Sequence, residues 1–240
     1  MIAAIIPAAG SGERFGKDQD GKAKQFLQLA GKPLYEWSLK ELCAHEDISQ
    51  IVLLVPAQEV ESIKWETSQG IQMSKVSVIA GGASRQQSVV KGLSFLSQSQ
   101  PPPDYVLVHD AARPMLSQKM IQDTIDAVTK FGACTLALPV SDTIKKTEGG
   151  TVSETVDRSQ LVQIQTPQAA KFTWLLEAHE KAIADNLSTT DDSTILQHNG
   201  HKVHIVPGSA YNLKITNPED LLICQSLIFS QKANGLQAAI

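Results

Sequence analysis

Short runs rich in β-branched residues and Leu alternate along the chain with longer stretches whose apolar residues recur at helical spacing. The strand-like runs occupy residues 2–7, 51–56, 75–79, 105–109 and 133–139. Between them, 33–45, 58–65, 84–96 and 117–131 repeat apolar residues every three or four positions, which predicts helices with one buried face. This rhythm predicts βαβ units around a mostly parallel sheet, with four crossovers linking five strands. After Pro139 the rhythm changes. Residues 143–146 and 152–156 alternate polar and apolar positions around the turn Glu148, Gly149, Gly150, which predicts a hairpin. Polar on both faces, residues 140–158 have no apolar side to bury in their own domain, so they are expected to project as an arm and find cover on a second copy of the chain. The remainder predicts a helix over 171–184, a short helix from Asp191, a strand over 202–206 and a last helix opened by Asn217 and Pro218. The expected fold is α/β: a single Rossmann-like domain over residues 1–240, its twisted, mostly parallel sheet covered by helices on both faces.

Composition narrows the class. Of 240 residues, 42% are hydrophobic and 19% charged, which supplies a core without staples and excludes disordered and fibrous chains. Lys and Arg total 21 against 25 Asp and Glu, so there is no overall positive field to hold a nucleic-acid backbone, and no nucleic-acid partner is expected. No apolar run approaches the roughly 20 residues of a membrane span, and the first apolar stretch lacks the basic flank of a secretion signal. No membrane partner is expected either. Cys43, Cys134 and Cys224 lie far apart without CxxC spacing and read as small buried hydrophobes of a cytoplasmic protein.

Candidate chemistry begins directly after the first strand. Pro7, Ala8, Ala9, Gly10, Ser11 and Gly12 form a small-residue loop that lets backbone N–H groups approach an anion closely. A dinucleotide fingerprint fails, because Phe15 takes the third glycine position and the second strand ends Leu54, Val55, Pro56 with no acid for a ribose. Residues 16–22 spell GxxxxGK, but Ala23 has no hydroxyl for magnesium and the motif starts nine residues beyond its strand. Of the nucleotide-binding readings this leaves a nucleotidyltransferase loop, with Arg14 and Lys24 neutralising a triphosphate; a plain surface turn is the other reading of the loop taken by itself. Asp110 and Arg113 follow the fourth strand, at the carboxyl edge where open parallel sheets bind ligands. A carboxylate there suits hydrated Mg2+ or another divalent cation, and a guanidinium there suits phosphate. Residues 81–88, GGASRQQS, suit backbone contact to a base or ribose, and equally a capped helix start. His198, His201 and His204 are spaced in a loop entering a strand, which does not bring them to one face.

Taken together, PAAGSGERFG at 7–16, KQF at 24–26, GGASRQQSV at 81–89, VHDAARP at 108–114, TPQ at 166–168 and NLKIT at 212–216 resemble one family. The set is similar to the 2-C-methyl-D-erythritol 4-phosphate cytidylyltransferases, in their order and approximate spacing from about residue 5 to residue 222. The resemblance implies transfer of CMP from CTP to that polyol phosphate in isoprenoid precursor synthesis, with a divalent cation. It implies Arg14, Lys24 and Lys214 as the catalytic cations on the triphosphate. Nucleotide contacts are implied for 7–12 and for Gly81, Gly82, Arg85 and Ser88. Asp110, at the metal, is implied to face the acceptor with Ala111, Arg113, Thr166, Thr190 and Asp191. Thr143 and Arg158 on the arm are implied to reach the acceptor phosphate in the partner of a homodimer. Two positions depart from the family: Ala23 replaces the usual proline, within a longer loop between Arg14 and Lys24, and Tyr211 replaces a frequent acid. The alternatives are a cytidylyltransferase for ribitol 5-phosphate or another polyol phosphate, and a non-catalytic nucleotide-binding protein.

Overall fold

A computed structural model describes residues 1–10, 27–68 and 73–233. In chain order its strands are β1 (Ile2–Pro7), β2 (Gln28–Leu29), β3 (Lys32–Pro33), β4 (Ile48–Val55), β5 (Val76–Ala80), β6 (Tyr105–Val108), β7 (Ala133–Pro139), β8 (Ile144–Glu148), β9 (Thr151–Val156), β10 (Val162–Lys171) and β11 (His204–Pro207). The helices are α1 (Leu34–Ala44), α2 (Val60–Ser68), α3 (Arg85–Leu96), α4 (Gln118–Phe131), α5 (Phe172–Ala184), α6 (Asp192–His198) and α7 (Pro218–Ala233).

Seven strands form the central sheet in the order β11-β7-β10-β6-β1-β4-β5. The pairs β1–β4, β1–β6, β4–β5 and β7–β11 are parallel. Consecutive apolar residues, Ala and Ile in β1 and Ile, Val and Leu in β4, bury side chains on both faces, as a covered parallel sheet requires. Ala4 and Ile6 of β1 join one core with Leu39 and Leu42 of α1 and Ile121 and Val128 of α4. Ala3 and Ile5 point the other way, toward Val89 and Leu93 of α3 and Leu175 of α5.

The expected five-strand series is incomplete, because β10 enters between β6 and β7 and runs antiparallel to both. Its sequence, VQIQTPQAAK, is rich in Gln and contains a proline, so it lacks the β-branched composition that marks a strand. Neighbours on both sides supply the ladder that its own propensity does not. The register with β7 breaks between Ile164 and Gln168, a bulge of the kind that re-aims side chains beside active sites.

Ser84 and Ser117 cap α3 and α4, accepting from the backbone N–H of Gln87 and Met120 respectively. A third core cluster packs Cys224 and Ile228 of α7 against Leu29, Leu34 and Ile215. This anchors the segment around Lys214, and the Ile215 N–H donates to the Ala112 carbonyl at 2.9 Å. Among the described residues, strands β8 and β9 pair only with each other and are almost wholly exposed, Val152 at 65%.

The three clustered histidines go to three different partners. His198 meets Asp185 at 2.6 Å, His201 stacks on Trp174 and His204 on Phe131. The three cysteines are free and buried. No helix among the described residues is long and apolar enough to cross a membrane.

Candidate active site

The loops after β1 and β5 meet at the carboxyl edge of the sheet. The Ala8 N–H donates to the Leu54 carbonyl at 2.7 Å and the Gly81 N–H to that of Val55 at 2.8 Å. A Cβ on Gly81 would lie 2.3 Å from that of Ala9, so only glycine permits this approach. A Cβ on Gly82 would lie 2.4 Å from that of Gln87. The buried Ser88 hydroxyl accepts from the Gly82 N–H at 3.0 Å and donates to the Ser84 carbonyl at 2.9 Å. Ser88 therefore shapes the glycine turn. Pro7 ends β1 and Gly10 is exposed, whereas Ser11, Gly12, Arg14 and Lys24 lie outside the described residues.

Beside these loops opens a cleft of about 630 Å³, lined by Arg85, Asp110, Arg113, Thr190, Asp191 and Lys214 among others. Thr166 also lines it. Ala111 packs into the core, leaving only its backbone for a ligand. Thr143 and Arg158 are exposed on the hairpin segment and do not line this cleft. The Arg158 guanidinium donates to the Ser141 carbonyl.

Asp110 is the electrostatic centre. Its Oδ1 accepts from Arg85 Nε at 2.8 Å and its Oδ2 from Lys214 Nζ at 2.6 Å. Burial alone would raise its pKa, but the Arg85 and Lys214 charges outweigh burial and hold the carboxyl well below the usual range. Arg85 also donates through Nη2 to Asp192 Oδ2 at 2.7 Å. Burial opposes its charge, yet Asp192 and Asp110 hold the guanidinium above its ordinary value.

His109 ties the edge of the crevice together, and its tautomer follows from its partners. Nε2 lies 3.0 Å from the Arg113 carbonyl, which can only accept, so Nε2 carries the proton. Burial pushes this imidazole down to about 4, so it is neutral and Nδ1 is an acceptor. The Thr166 hydroxyl, 3.2 Å away, donates to Nδ1 and accepts from the Asp110 N–H at 3.0 Å. The Arg113 guanidinium donates to the carbonyls of Asn212 at 2.7 Å and Ile164 at 3.3 Å, and its buried Nε has no hydrogen-bond partner among the described residues. Burial and nearby Arg85 lower its pKa against the pull of Asp110.

The aspartate pair that opens α6 divides its work in a way the sequence does not announce. Asp191 lines the cleft and accepts from Gln168 at 3.2 Å and from the Thr194 hydroxyl at 2.6 Å. Asp192 turns inward to Arg85 and to His179, and its N–H donates to Gln168 Oε1 at 2.7 Å. His179 carried no motif; its one sequence mark is a place on the buried face of α5, beside Leu175, Ala178 and Ala182. Among the described residues no group of three or more His, Cys, Asp or Glu is placed to hold a metal.

The chain matches the 2-C-methyl-D-erythritol 4-phosphate cytidylyltransferase family over residues 2–230. A protein of that name from Bacillus mycoides (strain KBAB4) is 43% identical over 233 residues, 97% of this chain and 100% of its own. Another, from Halalkalibacterium halodurans, is 39% identical over 225 residues, 93% of this chain and 95% of its own. Among solved structures, 4-diphosphocytidyl-2C-methyl-D-erythritolsynthase from Anaerococcus prevotii superposes with a TM-score of 0.82 at 28% identity, covering 95% of this chain and 96% of its own. The 2-C-methyl-D-erythritol 4-phosphate cytidylyltransferase of Thermus thermophilus does so with 0.75 at 31%, covering 94% and 98%. With its glycine loops joined beside a cation-flanked aspartate and this likeness running along nearly all its length, the chain belongs to the 2-C-methyl-D-erythritol 4-phosphate cytidylyltransferase family.

Proposed function

We propose that this chain transfers CMP from CTP to 2-C-methyl-D-erythritol 4-phosphate, giving 4-diphosphocytidyl-2-C-methyl-D-erythritol and pyrophosphate in isoprenoid precursor synthesis. An oxygen of the acceptor phosphate bonds to the α-phosphorus as the bond from that phosphorus to the leaving pyrophosphate oxygen breaks. That oxygen is already anionic near neutral pH, so the site needs no strong base. The barrier is the approach of one anion to another, and it is lowered by cations and by alignment.

The observation that supports this reading best is Lys214 held 2.6 Å from Asp110 in the cleft beside the two glycine loops. The lysine is one third exposed and within reach of a phosphate that enters there. Arg14 and Lys24 join it on the triphosphate, while Pro7 to Gly12 and Gly81, Gly82, Arg85 and Ser88 build the nucleotide side. Arg113, Thr166, Thr190 and Asp191, with the Ala111 backbone, build the acceptor side. Asp110 suits Mg2+, which binds through one or two carboxylates together with substrate phosphates and water rather than in an all-protein cage. When bound, the cation neutralises phosphate charge. Thr143 and Arg158, exposed and outside this cleft, fit a homodimer in which residues 140–158 reach the partner's acceptor site. Three buried thiols suit a reducing cytoplasm.

The test is pyrophosphate release from CTP, UTP, ATP and GTP, each crossed with several polyol phosphates. Backbone groups around Gly81 to Ser88 fit a pyrimidine and its amino edge, so CTP with 2-C-methyl-D-erythritol 4-phosphate is expected to be used far better than any other pair. Equal use of ATP or GTP, or of ribitol 5-phosphate, overturns the reading.

A further inference from the structure

We infer that Asp192 and His179 are positioning residues for this reaction, acting through Arg85 to fix one oxygen of Asp110 while the other stays exchangeable at Lys214. The inference rests on the proposed function, in which Asp110 faces the reacting phosphates.

The four side chains form one continuous line from the cleft into the core. Asp110 Oδ1 receives Arg85 Nε at 2.8 Å, Arg85 Nη2 reaches Asp192 Oδ2 at 2.7 Å, and Asp192 Oδ1 lies 3.0 Å from His179 Nε2. Because a carboxylate only accepts when ionised, His179 Nε2 is the donor. The members come from the end of β6, α3, α6 and α5, so the line spans four separate elements. The cleft end is the more open and the core end is closed: the Lys214 side chain is 33% exposed, Asp110 10% and Arg85 20%, against 1% each for Asp192 and His179.

The two ends of Asp110 therefore differ in kind. On the Oδ1 side the guanidinium is gripped from behind by Asp192, which is itself held at both carboxylate oxygens and at its N–H, the last by Gln168 at 2.7 Å. On the Oδ2 side the charged partner among the described residues is a lysine with a flexible stem and solvent access. A group that moves toward a phosphate is Lys214; a group that cannot follow it is Arg85. Charge balance points the same way. Asp110 and Asp192 face Arg85 and Lys214, two against two. When Lys214 turns to the nucleotide, Arg85 is the one arginine or lysine among the described residues that stays ion-paired with the two carboxylates, because the Arg113 guanidinium, though near Asp110, is turned to backbone carbonyls. Removing the Asp192 charge would end that sharing and free Arg85 to rotate about Asp110. Misplacement of about 1 Å at a reacting centre can cost about a hundredfold in rate.

The test uses the purified enzyme with CTP and 2-C-methyl-D-erythritol 4-phosphate. Asp192→Asn keeps shape and one acceptor, and is expected to lower kcat about tenfold or more, a larger factor than any rise in KM for CTP that the loosened Arg85 brings. In an Arg85→Gln background the same change is expected to have almost no further effect, since both remove one linkage. His179→Leu, which removes the donor, is expected to lower kcat, and His179→Gln, which keeps a donor near Nε2, to restore most of it. Wild-type kcat in both Asp192→Asn and His179→Leu overturns the inference, as does a full, additive loss in the double variant. Should Asp192→Asn fail to fold, the His179 pair decides: equal loss in Leu and Gln overturns it, and rescue by Gln supports it. If the unmodified enzyme releases no pyrophosphate from CTP with this acceptor, it is the proposed function that fails.

Discussion

At His109 one proton governs three contacts, because the neutral ring accepts from Thr166 and donates to the Arg113 carbonyl, while Thr166 steadies the Asp110 N–H. Burial moves this imidazole from 6.5 to about 4 on folding. Between those values the unfolded chain binds a proton that the folded chain refuses, so the contribution is fully present above about pH 6.5 and is lost as pH falls toward 4. Asp110 and Asp192 also have depressed pKa values, but their contribution is lost only at still lower pH, below the ordinary carboxylate range. The expected slope from His109 is at most about 1.4 kcal/mol per pH unit. Urea unfolding at several pH values between 6.5 and 4 should therefore show a shallower loss for His109→Gln than for the wild type, the other histidines being common to both. Equal slopes would remove His109 as the source. Its motif, VHDAARP, marked Asp110 and Arg113 in the sequence, but the histidine itself was unreadable there, since its work depends on Thr166, 57 positions away. The same holds for Asp192: a pair of aspartates at a helix start does not tell which one turns inward.

Among the elements, those with local signals were legible, whereas β10, stabilised only by neighbours, and the two-residue strands β2 and β3 were not. β1 and β7 fall where the apolar runs predict them, and Ser84 and Ser117 stand as caps before the helices they start. β10 was missed because Gln163, Gln165, Pro167 and Gln168 conceal a strand whose partners lie far away in sequence. Yet β10 carries Thr166 and Gln168, so the TPQ motif marked residues of the site while the strand that holds them went unread. The turn from α4 into β7 gives a second prediction. Gly132 closes α4 with φ of 86°, and a Cβ there would lie 2.5 Å from the Trp174 ring. The ring is stacked on His201 at 4.3 Å and covered by Lys171 at 4.8 Å, so it has little room to yield. Gly132→Ala is expected to cost about 2–4 kcal/mol, combining left-handed strain with overpacking. Gly200→Ala, with φ of 85° and nothing within 4 Å, carries the strain alone; it should cost about 1 kcal/mol. Denaturant midpoints measure both, and equal costs would show that the tryptophan moves aside.

For the whole molecule, the question is whether one chain completes its own site. Arg158 and Thr143 are exposed on the segment that carries β8 and β9, outside the cleft that gathers Asp110, Arg113 and Lys214. Among the described residues the hairpin pairs with no other strand, and an isolated two-stranded hairpin is marginal in water. If the arm serves the neighbouring subunit, each site is built from two chains, and defects in the arm and in the nucleotide loop complement one another. Arg158→Ala and Lys24→Ala are each expected to be nearly inactive alone. In a mixed dimer, one site collects both defects and the other carries neither. Equal mixing with random exchange makes half the dimers mixed, so about a quarter of all sites, and of wild-type activity, should return. Exchange itself is followed independently, by mass spectrometry of differently tagged chains. Recovery near that level establishes a shared site. Subunits that exchange without recovery would mean that the arm serves its own cleft or none, and the two-chain site would be abandoned.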